Sequence, residues 1–248
     1  KGDLCDPTTL GPAVEGCSSC ISCSGPSRVS EISDMWTHPS KIIDHPYNVN
    51  YIGIKDLVKE CKKYGLKKFV RVTGLSVGMD AFSPIAVLLN TAASFAVKWQ
   101  LYGEMEIRKS GLDYTVVRPG GLDLGYNYVH EMNRAISEGE ETGEELSLAL
   151  ADDGGIPVVD IVRIGRGDVA SLCVAALSSP HTSKATLGCV WVKGSGPSGW
   201  STLLEAVKPD KTELEPKAHL QAVRVFLTTV AAVITLLLSA RISAVVFS

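Results

Sequence analysis

The chain has 248 residues, 45% of them hydrophobic and 21% charged, a balance that excludes both wholesale disorder and a coiled coil. With 24 Lys and Arg against 27 Asp and Glu the net charge is −3, which gives no electrostatic basis for nucleic acid as a main partner. Seven unevenly spread cysteines cannot all pair and do not make a disulfide scaffold at this length; they point to reduced thiols in an internal compartment.

The first residue is Lys1, with no basic and apolar leader pattern after it, so the chain is expected to begin within a longer protein. Residues 7–14 suit a short helix. Residues 17–23 are small and apolar and end in Ser24-Gly25-Pro26, which predicts a strand followed by a turn. Over residues 49–64 Ile52, Ile54, Leu57, Val58 and Cys61 recur at near-helical spacing with lysines opposite, and Gly65 stops the run. Residues 67–73 predict a strand, residues 84–110 one long helix closed by Gly111, and residues 113–118 another strand broken by Pro119-Gly120-Gly121. The acidic, glycine-bearing stretch 123–160 reads as a solvated loop or insertion, with a substrate or partner lid as the alternative. Residues 168–178 predict a helix and 185–193 a final strand. Strands separated by helices of this length imply an α/β chain with a parallel sheet and right-handed crossovers.

Val225 to Ala240 is free of charge and bracketed by Arg224 and Arg241. Its helix would span about 24 Å against a hydrocarbon core of roughly 30 Å, a gap that snorkelling arginines and the wider apolar tract 222–248 can close. The lack of a polar face argues against an amphipathic surface helix, leaving a transmembrane helix as the reading and a buried core helix as the alternative. Lys208, Lys211, Lys217 and Arg224 precede it, so the globular part is expected on the cytosol-like side. The expected organisation is a domain over 1–210, a linker over 211–217 and an anchor over 218–248.

The runs Gly2-Asp3-Leu4-Cys5-Asp6-Pro7, residues 49–58 (NYIGIKDLV within them), Lys67-Lys68-Phe69-Val70-Arg71-Val72-Thr73 and residues 110–122 (SGLDYTVVRPGGL) stand in the family order of atypical short-chain dehydrogenase/reductases. Together with Gly167-Asp168-Val169-Ala170 they resemble the NmrA-like NAD(P)-binding proteins of cyanobacteria and plastids over roughly residues 1–210. The resemblance implies a Rossmann-like fold and places Asp3 after its third strand, so the first two strands and the glycine-rich phosphate turn are expected upstream of Lys1, the alternative being a site that has lost its phosphate cradle.

Carried over residue by residue, the resemblance assigns Asp3 and Leu4 to adenine. Ser22, Cys23, Ser24 and Gly25 would pass the cofactor ribose, Thr73 and Gly74 end the next strand, and Arg118, Pro119 and Gly120 approach the nicotinamide. Small residues suit these places because the cofactor must come close to the backbone. The family's Tyr-x-x-x-Lys pair, which lowers the phenol pKa for proton transfer, aligns with Ala96 and Gln100, neither of which can do that chemistry. Tyr51 and Lys55 keep the spacing but lie on the preceding helix, a coincidence. No catalytic residue is therefore assigned, and whether the chain is an enzyme is left open.

Cys17, Cys20 and Cys23 resemble part of a ferredoxin run, but Ser27 stands near the fourth place and a strand cannot aim all three at one point; small buried thiols are expected instead. The histidines have no ligand spacing, so no metal is assigned. Trp36, Trp99, Trp191 and Trp200 are expected as core or partner-facing anchors rather than a stacking platform. The resemblance and the apolar tail together imply an accessory or assembly subunit of a membrane complex, of the photosystem or light-harvesting kind rather than respiratory, at a plastid thylakoid with its globular domain in the stroma. A membrane-anchored NAD(P)H-dependent oxidoreductase or epimerase is the alternative, and a redox-sensing NAD(P)H binder is a third reading.

Overall fold

The computed structural model describes residues 1–26, 28–35, 37–123, 146–153, 155, 163–193 and 199–246. Its strands are β1 (Ser19–Ser22), β2 (Lys68–Val72), β3 (Tyr114–Pro119), β4 (Gly121–Asp123), β5 (Leu146–Ala151), β6 (Arg163–Gly165) and β7 (Ala185–Lys193). Its α-helices are α1 (Leu10–Val14), α2 (Gly53–Lys63), α3 (Pro84–Ala92), α4 (Ala96–Lys109), α5 (Arg166–Ser178), α6 (Trp200–Glu205) and α7 (His219–Val246). The main sheet runs β1-β2-β3-β7-β5, parallel except for β5, while β4 and β6 form a short parallel ladder of their own.

Strand periodicity builds the core. In β2 Phe69 faces a cluster with Leu10, Ile54, Val58, Cys61 and Ile107 from α1, α2 and α4. Its neighbour Val70 faces the other way, into a cluster with Leu172, Cys173, Leu187, Trp200 and Leu204 around α5 and α6. Val116 and Val117 of β3 divide the same way. The sheet is thus covered on both faces, as its near-continuous apolar strands require. Gly65 and Gly111 sit at φ +72° and +80°, where the αL region ends α2 and the turn before β3.

Two expectations need correction. The single helix expected over 84–110 is two, because Ser94 and Phe95 take positive φ of 49° and 61°. Tertiary contacts hold that break: Ser94 N–H donates to Ser30 Oγ at 2.6 Å, its hydroxyl to Asp34 Oδ2 at 2.8 Å, and Asn90 Oδ1 accepts the Lys98 N–H at 3.1 Å. Together they outweigh an αL cost of roughly 1–2 kcal/mol per residue. The stretch expected as a loop over 123–160 contains β5, which pairs antiparallel with β7 from Leu146↔Lys193 to Ala151↔Gly188. Its alternating Leu-Ser-Leu-Ala-Leu-Ala pattern was hidden by the acidic residues before it; most of the remaining stretch lies outside the described residues.

A π-helix over Tyr47–Ile52 leads into α2 and crosses α4 so closely that a Cβ on Gly103 would stand 2.1 Å from the Asn50 carbonyl oxygen. Residues 210–217 are laced to the body. Asp210 accepts from Tyr114 OH, Asp153 caps the Lys211 and Thr212 N–H groups, and Lys217 Nζ donates to the carbonyls of Val77, Gly78 and Met79 at 2.9, 3.0 and 2.6 Å. Beyond Val223, the side chains of α7 described through Leu237 are exposed, and His219–Leu237 is long and apolar enough to cross a membrane.

Candidate functional site

The carboxyl ends of β1, β2 and β3 lie side by side, bringing Ser22-Cys23-Ser24-Gly25, Thr73-Gly74 and Arg118-Pro119-Gly120 to one edge of the sheet. In parallel α/β sheets this edge is where ligands bind. Gly25 has open space where a side chain would stand, and at Gly74 the nearest atom to an added Cβ is 3.7 Å away. Asp3 and Leu4 sit apart from this group. Asp3 is exposed in a turn bridged to Asp6, and its carboxylate accepts the Cys5 N–H at 2.8 Å. Leu4 packs on the α1–α2 cluster and, with Cys5, Ser40, Ile43, Asn48 and Ile52, borders a cavity of about 160 Å³.

Beneath the strand ends is a polar network that sequence reading largely missed. Glu104, on α4 and wholly buried, accepts from Thr73 Oγ1 at 2.6 Å, Arg118 Nε at 3.2 Å and Arg118 Nη2 at 2.5 Å. The Arg118 guanidinium expected to reach toward nicotinamide is thus engaged by a carboxylate inside the protein. Arg71, equally buried, donates from Nη1 to the hydroxyls of Ser22 and Ser24, both at 2.9 Å, and from Nη2 to Asn50 Oδ1 at 3.3 Å. Burial lowers the Arg71 pKa to about 10, opposed by the nearby Glu104 charge, so the group stays cationic at neutral pH. A charge within an otherwise apolar strand, as in Lys-Phe-Val-Arg-Val, was the available signal.

Ala96 and Gln100 do lie on α4, the helix between β2 and β3. Tyr51 and Lys55 are engaged elsewhere: the Tyr51 ring stacks on Trp99 with centroids 6.0 Å apart, and Lys55 Nζ lies 3.9 Å from Glu106. Tyr47 and Tyr102 meet Trp99 edge-on, and Lys98 Nζ sits 4.3 Å above it, so Trp99 is part of an aromatic cluster within the protein. Trp191 and Trp200 are buried, their indole N–H groups bonded to Asp168; Trp36 lies outside the described residues.

The thiols also differ from expectation. Cys17 and Cys23 are exposed; all seven thiols are free, with Cys23 hydrogen-bonded to Cys173 and Cys20 to Cys61. The Cys173 hydrogen bond, resisted by partial burial and helped by Arg71, lowers the Cys23 pKa to about 6. Among the described residues no cluster of metal-ligating side chains occurs. On the α4 side of the sheet Gly78, Arg108, Arg118, Asp153, Glu215 and Lys217 help to line a cavity of about 620 Å³.

Comparison with known proteins fits this geometry. The chain is 30% identical over 153 residues to Protein TIC 62, chloroplastic, from Arabidopsis thaliana, covering 60% of this chain and 22% of that one. It is 32% identical over 128 residues to the chloroplastic protein At2g34460 of the same plant (47% of this chain, 46% of that one). With sanguinarine reductase of Eschscholzia californica it shares 28% over 199 residues (71% and 66%). The chain therefore spans from about a fifth to two thirds of the length of these relatives. Among solved structures, a protein described as an NAD-dependent epimerase/dehydratase from Bacillus halodurans superposes with a TM-score of 0.55 at 18% identity, covering 82% of this chain and 76% of that one. The oxidoreductase ylbE from Lactococcus lactis gives 0.51 at 16% identity, with 83% and 74% covered; both likenesses show the fold. A family profile described as NAD(P)H-binding matches residues 1–180, and the chain belongs to that family, among its atypical short-chain dehydrogenase/reductase members.

Proposed function

We propose that this chain is a membrane-anchored NAD(P)-binding accessory or assembly subunit of a plastid membrane complex, photosynthetic in setting, rather than a dehydrogenase with tyrosine–lysine chemistry. The observation that carries the reading is the state of the polar groups around the strand ends. The two helix positions where the family keeps its proton-transferring pair hold Ala96 and Gln100, and Thr73, Glu104 and Arg118 are bonded to one another. A general acid must stand within hydrogen-bond reach of the group it serves, whereas Glu104 and Arg118 are buried against each other and the Thr73 hydroxyl donates its proton to Glu104.

The residues present fit a dinucleotide. The room at Gly25 and Gly74 admits a ligand close to the backbone, and the Arg71 cation behind Ser22 and Ser24 suits an anionic one. Ser22, Cys23, Ser24, Gly25, Thr73 and Gly74 would hold its ribose side, Asp3 and Leu4 its adenine, and Pro119 and Gly120 its nicotinamide. Bound nicotinamide supplies hydride chemistry. The chloroplastic relatives support a plastid location, the exposed apolar surface of α7 supports an anchor, and Lys208, Lys211, Lys217 and Arg224 before it favour a domain on the stromal side of the thylakoid.

The test uses the full chain in detergent micelles. NADPH binding without steady oxidation, together with a multi-subunit complex that co-purifies and is lost on deleting residues 225–248, is the expected result. Steady NAD(P)H oxidation that falls on Thr73→Val and survives removal of the tail would overturn it. That outcome would favour the second reading, an anchored oxidoreductase or epimerase, for which the 620 Å³ cavity beside Arg118 offers room for a substrate.

A further inference from the structure

We infer that α3 lies on the lipid surface, its outer face set into the boundary between headgroups and acyl chains beside the point where α7 enters the bilayer; this rests on the anchor reading above. Between Asp80 and Lys98 the sequence carries no charge for 17 residues. Ser83 caps the helix through the Ala86 N–H and Pro84 stands in its first turn, so the local sequence starts α3 firmly. Ala86, Val87 and Asn90 face inward. The opposite side, where a water-facing helix puts its charges, presents Ile85, Leu88 and Leu89 at 51%, 62% and 39% exposure, with Phe82 at 50% just before it. Residues 85, 88, 89 and 92 share one face by helical spacing.

What covers that face is indicated by what α3 is fastened to. Ala81 and Val87 pack on Ala222, and Asn90 Nδ2 and His219 Nδ1 are 3.1 Å apart in a fully buried contact. The loop before α3 is held by Lys217 through three carbonyls. The exposed apolar surface of α7 begins with Val225, Phe226 and Leu227, one turn beyond Ala222, with Arg224 between at the level where a guanidinium meets lipid headgroups. If α7 enters a bilayer there, α3 is fixed close to the same level, and the face it leaves exposed carries no charge. Its outer face offers no charged or amide side chain to give a protein partner orientation, whereas a lipid surface requires only apolar area.

The experiment places the photo-crosslinking residue p-benzoylphenylalanine singly at positions 85, 88, 233 and 59 of the full chain, reconstituted into phosphatidylcholine–phosphatidylglycerol vesicles. Val233 reports the anchor, and Lys59, exposed on α2, gives the background. Phospholipid adducts at 85 and 88 at least tenfold above those at 59, together with adducts at 233, are expected. Adducts at 233 with 85 and 88 at background would overturn the α3 placement and leave the anchor standing. Adducts at 85 and 88 without any at 233 would support the surface contact and remove the anchor, and background at all sites would remove both. A protein adduct at 88 in place of lipid also overturns the inference.

Discussion

Replacing Glu104 with Gln changes only charge and one hydrogen-bonding atom, yet it strikes the most buried ion pair among the described residues. The carboxylate is wholly buried, Arg118 almost so, and three donor contacts of 2.5, 2.6 and 3.2 Å converge on it. Removing one partner of such a pair costs about 3–5 kcal/mol because the other charge is left behind. The amide oxygen of Gln keeps one hydrogen bond, which returns roughly 1 kcal/mol and leaves a net loss of about 2–4 kcal/mol. For a chain of this size that lowers Tm by roughly 4–16 °C, at about 2–4 °C per kcal/mol. Thermal unfolding of the full chain in micelles, followed by circular dichroism, measures it. Thr73→Val, which removes one hydroxyl bond, should cost only about 1 kcal/mol. The double replacement Glu104→Leu with Arg118→Met should recover much of the loss. A Glu104→Gln protein melting within 1 °C of the parent, by roughly that Tm scaling, would refute the reasoning. So would a double mutant as unstable as the sum of its singles.

Gly103→Ala should destabilise by about 1–3 kcal/mol, since its methyl would meet the Asn50 carbonyl at 2.1 Å and the π-helix must move away; a urea midpoint unchanged from the parent would contradict the close crossing. His45 is buried and accepts the Tyr47 N–H through Nδ1, and burial holds its pKa below the usual 6.5, with Asp34 opposing. The unfolded chain therefore binds the proton more readily, so His45 stabilises fully above about pH 6.5 and loses that contribution as pH falls toward its folded pKa. His45→Asn, which keeps an acceptor and removes the titration, should flatten that acid limb, and an unaltered limb in pH-dependent unfolding would exclude His45 as its source. Cys23, with a pKa of about 6, should react with iodoacetamide at pH 7 a few-fold faster than free cysteine, its greater thiolate fraction partly offset by weaker nucleophilicity. Peptide mass mapping reads the rate, and NADPH should slow the reaction at Cys23 if the cofactor passes there; a rate equal to that of free cysteine would contradict the Cys23–Cys173 hydrogen bond.

The strands β2, β3 and β7 and the helix α2 were legible because the strands are apolar runs bounded by glycine and proline, and because α2 has a clean amphipathic period. The α3–α4 break was not, since Asn-Thr-Ala-Ala-Ser is tolerable in a helix and only Ser30 and Asp34, some 60 residues away in sequence, hold Ser94 in its turn. β5 escaped because its partner β7 is distant in the chain and acidic residues precede it. At the candidate site, small residues at strand ends could be found from the family pattern. The Glu104–Arg118 pair and the Arg71–Ser22–Ser24 group could not, because which charges share a buried layer depends on the register between strands and on the way α4 crosses them.

The Lys217 ammonium closes a clasp around the backbone at residues 77–79, a few positions beyond Thr73 and Gly74 and just ahead of the C-terminal helix. Three carbonyls converge on one charge, so the 3-10 turn that leaves the sheet after β2 and the stem of the tail behave as a single mechanical joint. A pull along the tail is transmitted to the sheet's rim directly, without travelling through the hydrophobic interior, and a shift at the rim tugs the stem in return.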